Sequence, residues 1–565
     1  MLTKKRGIVM NDMKQGTWAE NPGSVVENQV PNKVAEAAAV GIAEPASQTK
    51  KETEESKKLR ENFGFFGPAT FLYAVFYAFC MYKNSSGVTF PFFVAGGLLF
   101  LYFSLSKLGT TLKKGSVFYM IAIVLLGIST FCTDDSRIIF FNKLGVLLLM
   151  MSLLLKQFCN TEKWKLGKFL GSICQLLVMS FGELGTPFKD GKAYYRRKGE
   201  KINKKGMYFV LGLVIAIPLL LVVLLLLSSA DAVFRQMTKS LLENIHFGNI
   251  MNVLFRIAFL FFASYALISY LCKKGIKEEV KDRRNGEPVL AITVTSLLTL
   301  LYLFFSGIQI AALFLGKLQL PEGYTYAMYA REGFFQLLAV SILNLVIVLV
   351  CLCFFRESKP LKWILTVMSL CTFVMIASSA MRMMIYIMYY YLTFLRVLVL
   401  WGLALLAVLF VGVIVHIFKE DFHLFRYSMV VVTVLYLGLS FAHPDLIIAR
   451  VNVTNTANAG VRDAGVFEIF EPYNDYSYLS NLSADAAPVL VPYLEKLGYD
   501  MKAFEADSPK MYAMSNYDTW YHPSNIDAFG YYWMSDMKER TENFGVRTFN
   551  VSRYIMKSLI KHAAD

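Results

Sequence analysis

The chain has 565 residues, of which 56% are hydrophobic and 18% charged; its mean hydropathy is +0.46 and its formal net charge +15. Soluble domains hold roughly 45–50% apolar residues on a similar count, so the composition excludes an ordinary soluble domain and points to a protein built in a bilayer. The positive charge is spread over loops with no recognition motif beside it, which argues against nucleic acid as a partner.

In chain order, residues 1–62 open with a polar tract poor in aromatics and ending in "KKETEESKKLR". They lack the apolar core of a secretory signal and read as a disordered cytoplasmic tail. A helix needs about 20 apolar residues to cross a hydrocarbon layer about 30 Å thick. Eleven candidate spans meet or approach that length, near 65–82, 90–106, 117–132, 138–155, 207–227, 249–271, 289–315, 333–355, 361–380, 397–417 and 427–443. They group as a four-helix N-terminal region (63–155) and a seven-helix core (207–444), joined by a basic loop (156–206). Inside that loop, "LGKFLGSICQLLVMSFG" (166–182) is short and has lysines at its start, so it is expected to lie on the inner surface as an amphipathic helix. "RMMIYIMYYYLTFLR" (382–396) reads as an interfacial helix carrying a tyrosine belt.

Lysine and arginine concentrate in cytoplasmic loops. With the N-terminus inside, 26 fall in the inner loops and 8 in the outer ones. The expected molecule is an all-α polytopic membrane protein of about 11 transmembrane helices, in a bacterial plasma membrane, with a cytoplasmic N-terminus and an extracytoplasmic C-terminus. Its partners are the bilayer, with anionic inner-leaflet lipids at the basic loops.

Residues 445–565 carry 11 Lys and Arg against 16 Asp and Glu. All eight cysteines precede this segment, so it has no disulfides. It reads as a small α-rich extracytoplasmic domain. "SADAAPVLVPYLEKLGY" is a helix with Ser483 as N-cap, Asp485 in its first turn and Gly498 at its end. "NDYSYLSNL", "IDAFGYYWMSDMKERTENFG" and "NVSRYIMKSLIKHA" also read as helical. The aromatics make a tyrosine-rich face, either core packing or a surface for an envelope protein or peptide.

No hydrolase, zinc or phosphate-loop signature appears, and no catalytic residue, metal site or cofactor is expected. "GTPFKDGK" (185–192) imitates a phosphate loop only loosely. His416 and His423 read as interfacial residues rather than ligands. The notable stretch is "YAREGFFQLLAVSILNL" (329–345), where Arg331 and Glu332 stand at the mouth of an apolar run. At 100° per residue, Glu332, Gly333, Gln336 and Asn344 fall within an arc of about 120°. Asn344 lies about 18 Å below Glu332. Polar groups in hydrocarbon are costly unless they face protein or water, so this stripe is expected to face the bundle interior with Gln309 of the preceding span. Arg382 and Arg396, placed on one helix, would fall within about 40° of each other. With Asp231 and Arg331 they make a candidate outward-facing polar pocket. Asp445, Arg450 and Asn452 mark the junction between membrane and domain.

Together "YAREGFFQLLAVSILNL", "LFFSGIQIAALF", "SSADAVF", "RMMIYIMYYYLTFLR" and "PDLIIARVNV…YLSNLSADAAPVL" resemble the bacterial domain-of-unknown-function 4173 family, related to family 4153. The likeness runs from about residue 205 to the end. It implies a multi-pass membrane architecture and no activity. In that pattern a glycine precedes the leucine–threonine pair of the 382–396 segment; Tyr391 stands there in this chain.

The reading favoured by these residues is a non-enzymatic envelope sensor or scaffold. Two alternatives stay open: a transporter or lipid-moving protein lined by Glu332, Gln336, Gln309 and Asn344, and a membrane transferase using Asp231, Glu332 or Asp445 as acid or base.

Overall fold

The computed structural model describes residues 53–161, 164–198, 247–276, 284–311, 333–419, 421–458, 476–499, 526–541 and 544–564, with isolated positions at 216–234 and 278. In chain order the helices are α1 (Glu54–Glu61), α2 (Phe63–Met81), α3 (Thr89–Leu108), α4 (Ser116–Cys132), α5 (Ser136–Phe158), α6 (Leu166–Ser180), α7 (Thr186–Arg197), α8 (Phe247–Cys272), α9 (Pro288–Gln309), α10 (Phe334–Phe354), α11 (Lys359–Tyr390), α12 (Phe394–Phe418), α13 (Leu424–Phe441), α14 (Pro444–Asn458), α15 (Tyr476–Leu479), α16 (Ala487–Lys496), α17 (Ile526–Thr541) and α18 (Val551–Ala564). No strand occurs among the described residues, and one isolated bridge joins Gly286 to Phe355. The protein is an all-α polytopic membrane protein. Nine of its described helices are long and apolar enough to cross a membrane, and α4 is a shorter apolar helix. These account for ten of the eleven expected spans; the eleventh, 207–227, lies mostly outside the described residues.

Two expectations are corrected at element level. Residues 54–61 are helical rather than part of a disordered tail. Thr53 caps the helix by accepting from the Ser56 N–H at 3.3 Å, acidic residues fill its first turn and basic ones its last, and Leu59 is buried. Residues 1–52 lie outside the described set. The 382–396 segment is not a separate interfacial helix. Its first nine residues continue α11, which runs for 32 residues, about 48 Å at 1.5 Å per residue. That exceeds the hydrocarbon thickness by about 18 Å, so α11 carries its tyrosines past the end of the span before breaking at Tyr391.

Packing divides the helices into two groups. Helices α2–α6 and α8 form one, its core running from Phe90 and Val94 through Leu126 and Leu153 to Leu271. Helices α9–α12 form the other, around Val348, Met368 and Val413. α13 packs on both α12 and α4. A third core, around Phe410, Ile448, Leu490 and Trp533, joins the end of α11 and α12 to the C-terminal helices. All described residues from 53 onward belong to one compact unit.

The C-terminal segment covers one end of the bundle. At that end the 82–88 turn, the 133–135 turn, the 391–393 break and the 442–443 turn all meet it. The Val88 N–H donates to the Phe549 carbonyl at 2.8 Å, the Phe394 N–H to the Tyr478 hydroxyl at 2.8 Å, and Asn550 Nδ2 to the carbonyls of Ser86 and Thr133 at 3.1 and 2.9 Å. The expected helices of this segment are present. Gly498 stands at φ +82° just past Leu497, the C-cap of α16, where the left-handed conformation favours a residue without Cβ. Of the aromatic face, Phe529 and Trp533 are fully buried and Tyr476 stacks on Phe529 at 5.3 Å. Those rings are core.

Candidate functional site, a charged junction at the end of the bundle

The turn between α4 and α5 reads "TDDSR" (133–137). Asp135 caps α5, accepting from the Arg137 N–H at 2.9 Å. The same carboxylate takes Arg137 Nε and Nη2 at 2.9 and 3.0 Å. That side-on geometry fixes the guanidinium plane, which lies over the Phe394 ring at 4.1 Å. Arg137 Nη2 also donates to Asp445 on α14. The other Asp445 oxygen accepts from the Ser483 N–H and hydroxyl at 3.0 and 2.7 Å. Ser483 is therefore an N-cap by position whose side chain serves Asp445 instead of its own helix.

Asp134 and Asp485 complete the cluster. Asp134 is 1% exposed and binds Arg553 Nε at 2.6 Å and Arg540 Nη1 at 3.2 Å. Asp485 accepts from the Asp134 N–H at 2.8 Å, the Thr133 hydroxyl at 2.5 Å and His443 Nδ1 at 3.1 Å. Four buried carboxylates thus meet three guanidiniums and one imidazole. A fifth carboxylate, Asp536, reaches Arg540 from its outer side at 2.9 Å, so the cluster favours a protonated His443, whose pKa its hydrogen bond to Asp485 raises, opposed by burial. Burial works to raise the Asp485 pKa, yet hydrogen bonds from His443, Ser552, Thr133 and the Asp134 N–H together hold it below the ordinary carboxylate range. Asp445 goes the other way: burial and then the neighbouring Asp135 charge raise it, against Arg137 and Ser483.

Backbone strain collects at the same end. His443 has φ +49° and Tyr391 φ +64°, values L-residues seldom adopt. Tyr391, with ψ 171°, occupies a conformation essentially reserved for glycine, the residue the resemblance places there. Tight backbone contacts surround it: Arg396 donates to the carbonyls of Tyr390 and Tyr391, closing the end of α11 as a cation should. Asn452 clamps Leu392 on both sides, accepting from its N–H at 2.7 Å and donating to its carbonyl at 3.0 Å.

The expected pocket residues come together only in part. Gln309 and Arg382 do meet: Gln309 Oε1 accepts from the Ser378 hydroxyl at 2.7 Å and from Arg382 Nη2 at 3.4 Å, and all three are buried. Gly333, at φ +95°, leaves room there, since a Cβ would lie 2.8 Å from Arg382 Nη1. Asn344 is buried and donates to Thr372 at 3.0 Å. Gln336 is exposed on the outside of the bundle, within the first turn of α10, so the inward stripe holds at Asn344 and not at Gln336. Arg382 and Arg396 lie on different helices because the chain breaks at Tyr391, so their shared face is not formed. Asp231 is exposed and caps a local turn, accepting from the Phe234 N–H at 2.6 Å. Arg331 and Glu332 lie outside the described residues. At the junction, Asp445 and Asn452 are buried and engaged, while Arg450 is exposed and its carbonyl accepts from the Thr454 hydroxyl at 2.7 Å.

Sequence reading missed Asp134, Asp135, Arg137, His443, Arg540 and Arg553. The one local signal was the "TDDSR" turn, with acids at a helix N-terminus; apart from the Asp135–Arg137 pair, the partners of Asp134 and the Asp445 partner of Arg137 lie more than 300 positions away. Among the described residues, no group of three or more His, Cys, Asp or Glu is placed to hold a metal ion.

A family model described as "Domain of unknown function (DUF4153)" matches residues 120–493. The match begins inside α4 and ends inside α16, so it takes in the acidic turn and stops short of α17 and α18. No curated protein and no solved structure matches the chain.

Proposed function

The chain belongs to the DUF4153 family, and on that footing we propose that it is a non-enzymatic envelope scaffold or sensor of a bacterial plasma membrane, with the junction as a latch. Its motifs support a further likeness to the related 4173 family. The N-terminus is cytoplasmic and the latched end extracytoplasmic, in keeping with the lysine and arginine distribution.

One observation carries this reading. Every carboxylate of the junction is consumed internally: Asp134 by Arg540 and Arg553, Asp135 by Arg137, Asp445 by Arg137 and Ser483, Asp485 by His443 and Thr133. A catalytic acid or base must reach the proton it moves, whereas Asp445 is 1% exposed and faces its own chain. The amides inside the spans are likewise turned to neighbouring helices: Asn344 to Thr372, Gln309 to Ser378. That arrangement favours a bundle locked to its C-terminal segment over a transport route.

The test compares Asp445→Asn, Arg553→Gln and Asp134→Asn for protein level, protease resistance of the C-terminal segment and the phenotype of a deletion strain. A latch makes loss of phenotype track loss of protease resistance across all three. Loss of phenotype in Asp445→Asn alone, with the segment still protected, would overturn the proposal in favour of chemistry at Asp445.

A further inference from the structure

The pair α6–α7 holds a feature unconnected with the latch. Both helices lie against the end of the bundle opposite the junction. α6 is 15 residues long, about 22 Å, and a helix of that length crossing the membrane would separate its ends by most of the hydrocarbon. Instead both of its ends meet residues at helix termini. Phe169 touches Phe425, the second residue of α13, at 4.5 Å between ring centroids. The Trp164 indole donates to the Glu278 carbonyl at 3.3 Å. Past the other end of α6, Glu183 pairs with Lys273, just beyond α8, at 2.5 Å. Midway, Gln175 donates to Tyr270 and to the Gly275 carbonyl at 3.1 and 3.3 Å. After a bend of 54°, α7 runs along the end of α1 and the start of α2: Arg197 pairs with Glu61 at 2.6 Å, Tyr194 meets Phe63 at 6.2 Å between ring centroids, and Tyr265 of α8 donates to Asp190 at 2.8 Å. Residues 185–192 are the start of this helix and not a phosphate loop.

The faces of α6 are divided three ways. Phe169, Ser172, Ile173, Leu176 and Ser180 are buried against the bundle. Leu166, Leu170, Cys174, Leu177 and Val178 are exposed and fall within an arc of about 120° at 100° per residue. Lys168 and Gln175 lie on the remaining side. Beyond the bend, Phe181 and Phe188 are 65% and 67% exposed. Residues 164–198 carry seven Lys and Arg against Glu183 and Asp190, and both acids are engaged within the fold. One side to protein, one apolar side outward, and a surplus of cations at a helix-terminal level is the arrangement of a segment lying in a membrane interface.

We propose that α6–α7 forms an interfacial collar seated in the headgroup layer, with its apolar stripe in the acyl boundary and its cations, chiefly Lys189, Lys192 and Arg196 of α7, on anionic lipid phosphates. The occupant is a bilayer rather than a protein because the apolar stripe and the basic residues lie at the level where α2, α8 and α13, each long and apolar enough to span, begin or end, and because an apolar stripe flanked by cations matches the acyl and phosphate layers of an anionic leaflet. The collar does not depend on the junction being a latch.

Cys174 lies in the stripe and is exposed, whereas Cys132 and Cys353 are half-buried and the other five cysteines are buried, so it accepts an environment-sensitive fluorophore in a background with Cys132→Ala and Cys353→Ala. The full chain is placed in nanodiscs of phosphatidylcholine alone or of phosphatidylcholine with phosphatidylglycerol. The collar predicts apolar, blue-shifted emission, with a further blue shift in the anionic discs that salt reduces. The triple variant K189Q/K192Q/R196Q loses the anionic increment, and K189R/K192R keeps it. Water-like emission in both discs, or blue emission indifferent to lipid charge and to the triple variant, would overturn the proposal; the first outcome would mean the stripe faces water or a partner protein.

Discussion

Asp134 and Asn142 stand eight positions apart around the start of α5, and both are fully buried. Asn142 lies within the span. Its carbonyl oxygen accepts from Ser440 at 2.7 Å and Tyr436 at 2.8 Å, and its amide donates to Ser129 at 3.3 Å. It ties α5 to α4 and α13 through neutral groups. Asp134 lies just outside the span and binds two arginines from α17 and the start of α18. The difference shows how depth selects chemistry. In hydrocarbon, unfolded-in-membrane partners compete and a neutral hydrogen bond contributes modestly. At the bundle end, full charges are affordable only when covered and paired, and removing one partner leaves the other stranded.

The comparison is broken most severely by Asp134→Ala. It takes the carboxylate from Arg553 and leaves Arg540 with Asp536 alone, at an expected cost of about 3 kcal/mol, read as early proteolysis of the C-terminal segment and a lowered Tm in detergent. Asn142→Leu is expected to cost about 1–2 kcal/mol, with the C-terminal segment still protected; equal loss of that protection would erase the distinction between the two regions. Tyr391→Gly sharpens it from the backbone side. A non-glycine residue in this conformation costs about 1–3 kcal/mol, and glycine's chain entropy returns about 0.5–1 kcal/mol of that. A small rise in Tm is expected, and a fall would show that the Tyr391 ring contributes more than its strain.

The smallest effect is a pH dependence. The folded pKa of His443 is raised, mainly by its hydrogen bond to Asp485, so its stabilisation is complete below the unfolded value of about 6.5 and is lost as pH rises through the folded value. Asp485 is lowered, so its share is present above the unfolded value of about 3.9 and is lost as pH falls through the folded one. Protease protection of the C-terminal segment should therefore decline on the alkaline side in the native chain. His443→Gln should flatten that decline; an unchanged profile would remove His443 from the charge balance.

Much of the helical order was legible because a span announces itself over about 20 residues. The helix at 487–496 followed from its N-cap position and Gly498, and those at 526–541 and 551–564 from aromatics gathered on one side. The end of α11 was misread because "RMMIYIMYYYLTFLR" has no proline or glycine to mark its break; the break rests on Tyr391 adopting a conformation that its side chain disfavours. Asn344 and Gln309 were found because an amide in an apolar run stands out, whereas Asp134, His443 and Arg553 were lost among ordinary loop residues.

Hydropathy and charge along the chain determined that this is a multi-pass helical protein, which helices are apolar enough to span and where most of them begin. These are local properties, set by the solvent each segment must enter. That Asp134 meets Arg540 and Arg553, and Arg137 meets Asp445, was decided only by the tertiary structure. Those partners are separated by more than half of the chain, and their pairing depends on α14, α17 and α18 folding back onto the turn between α4 and α5. No local pattern encodes that return, because the energy that fixes it exists only once the charges are buried together.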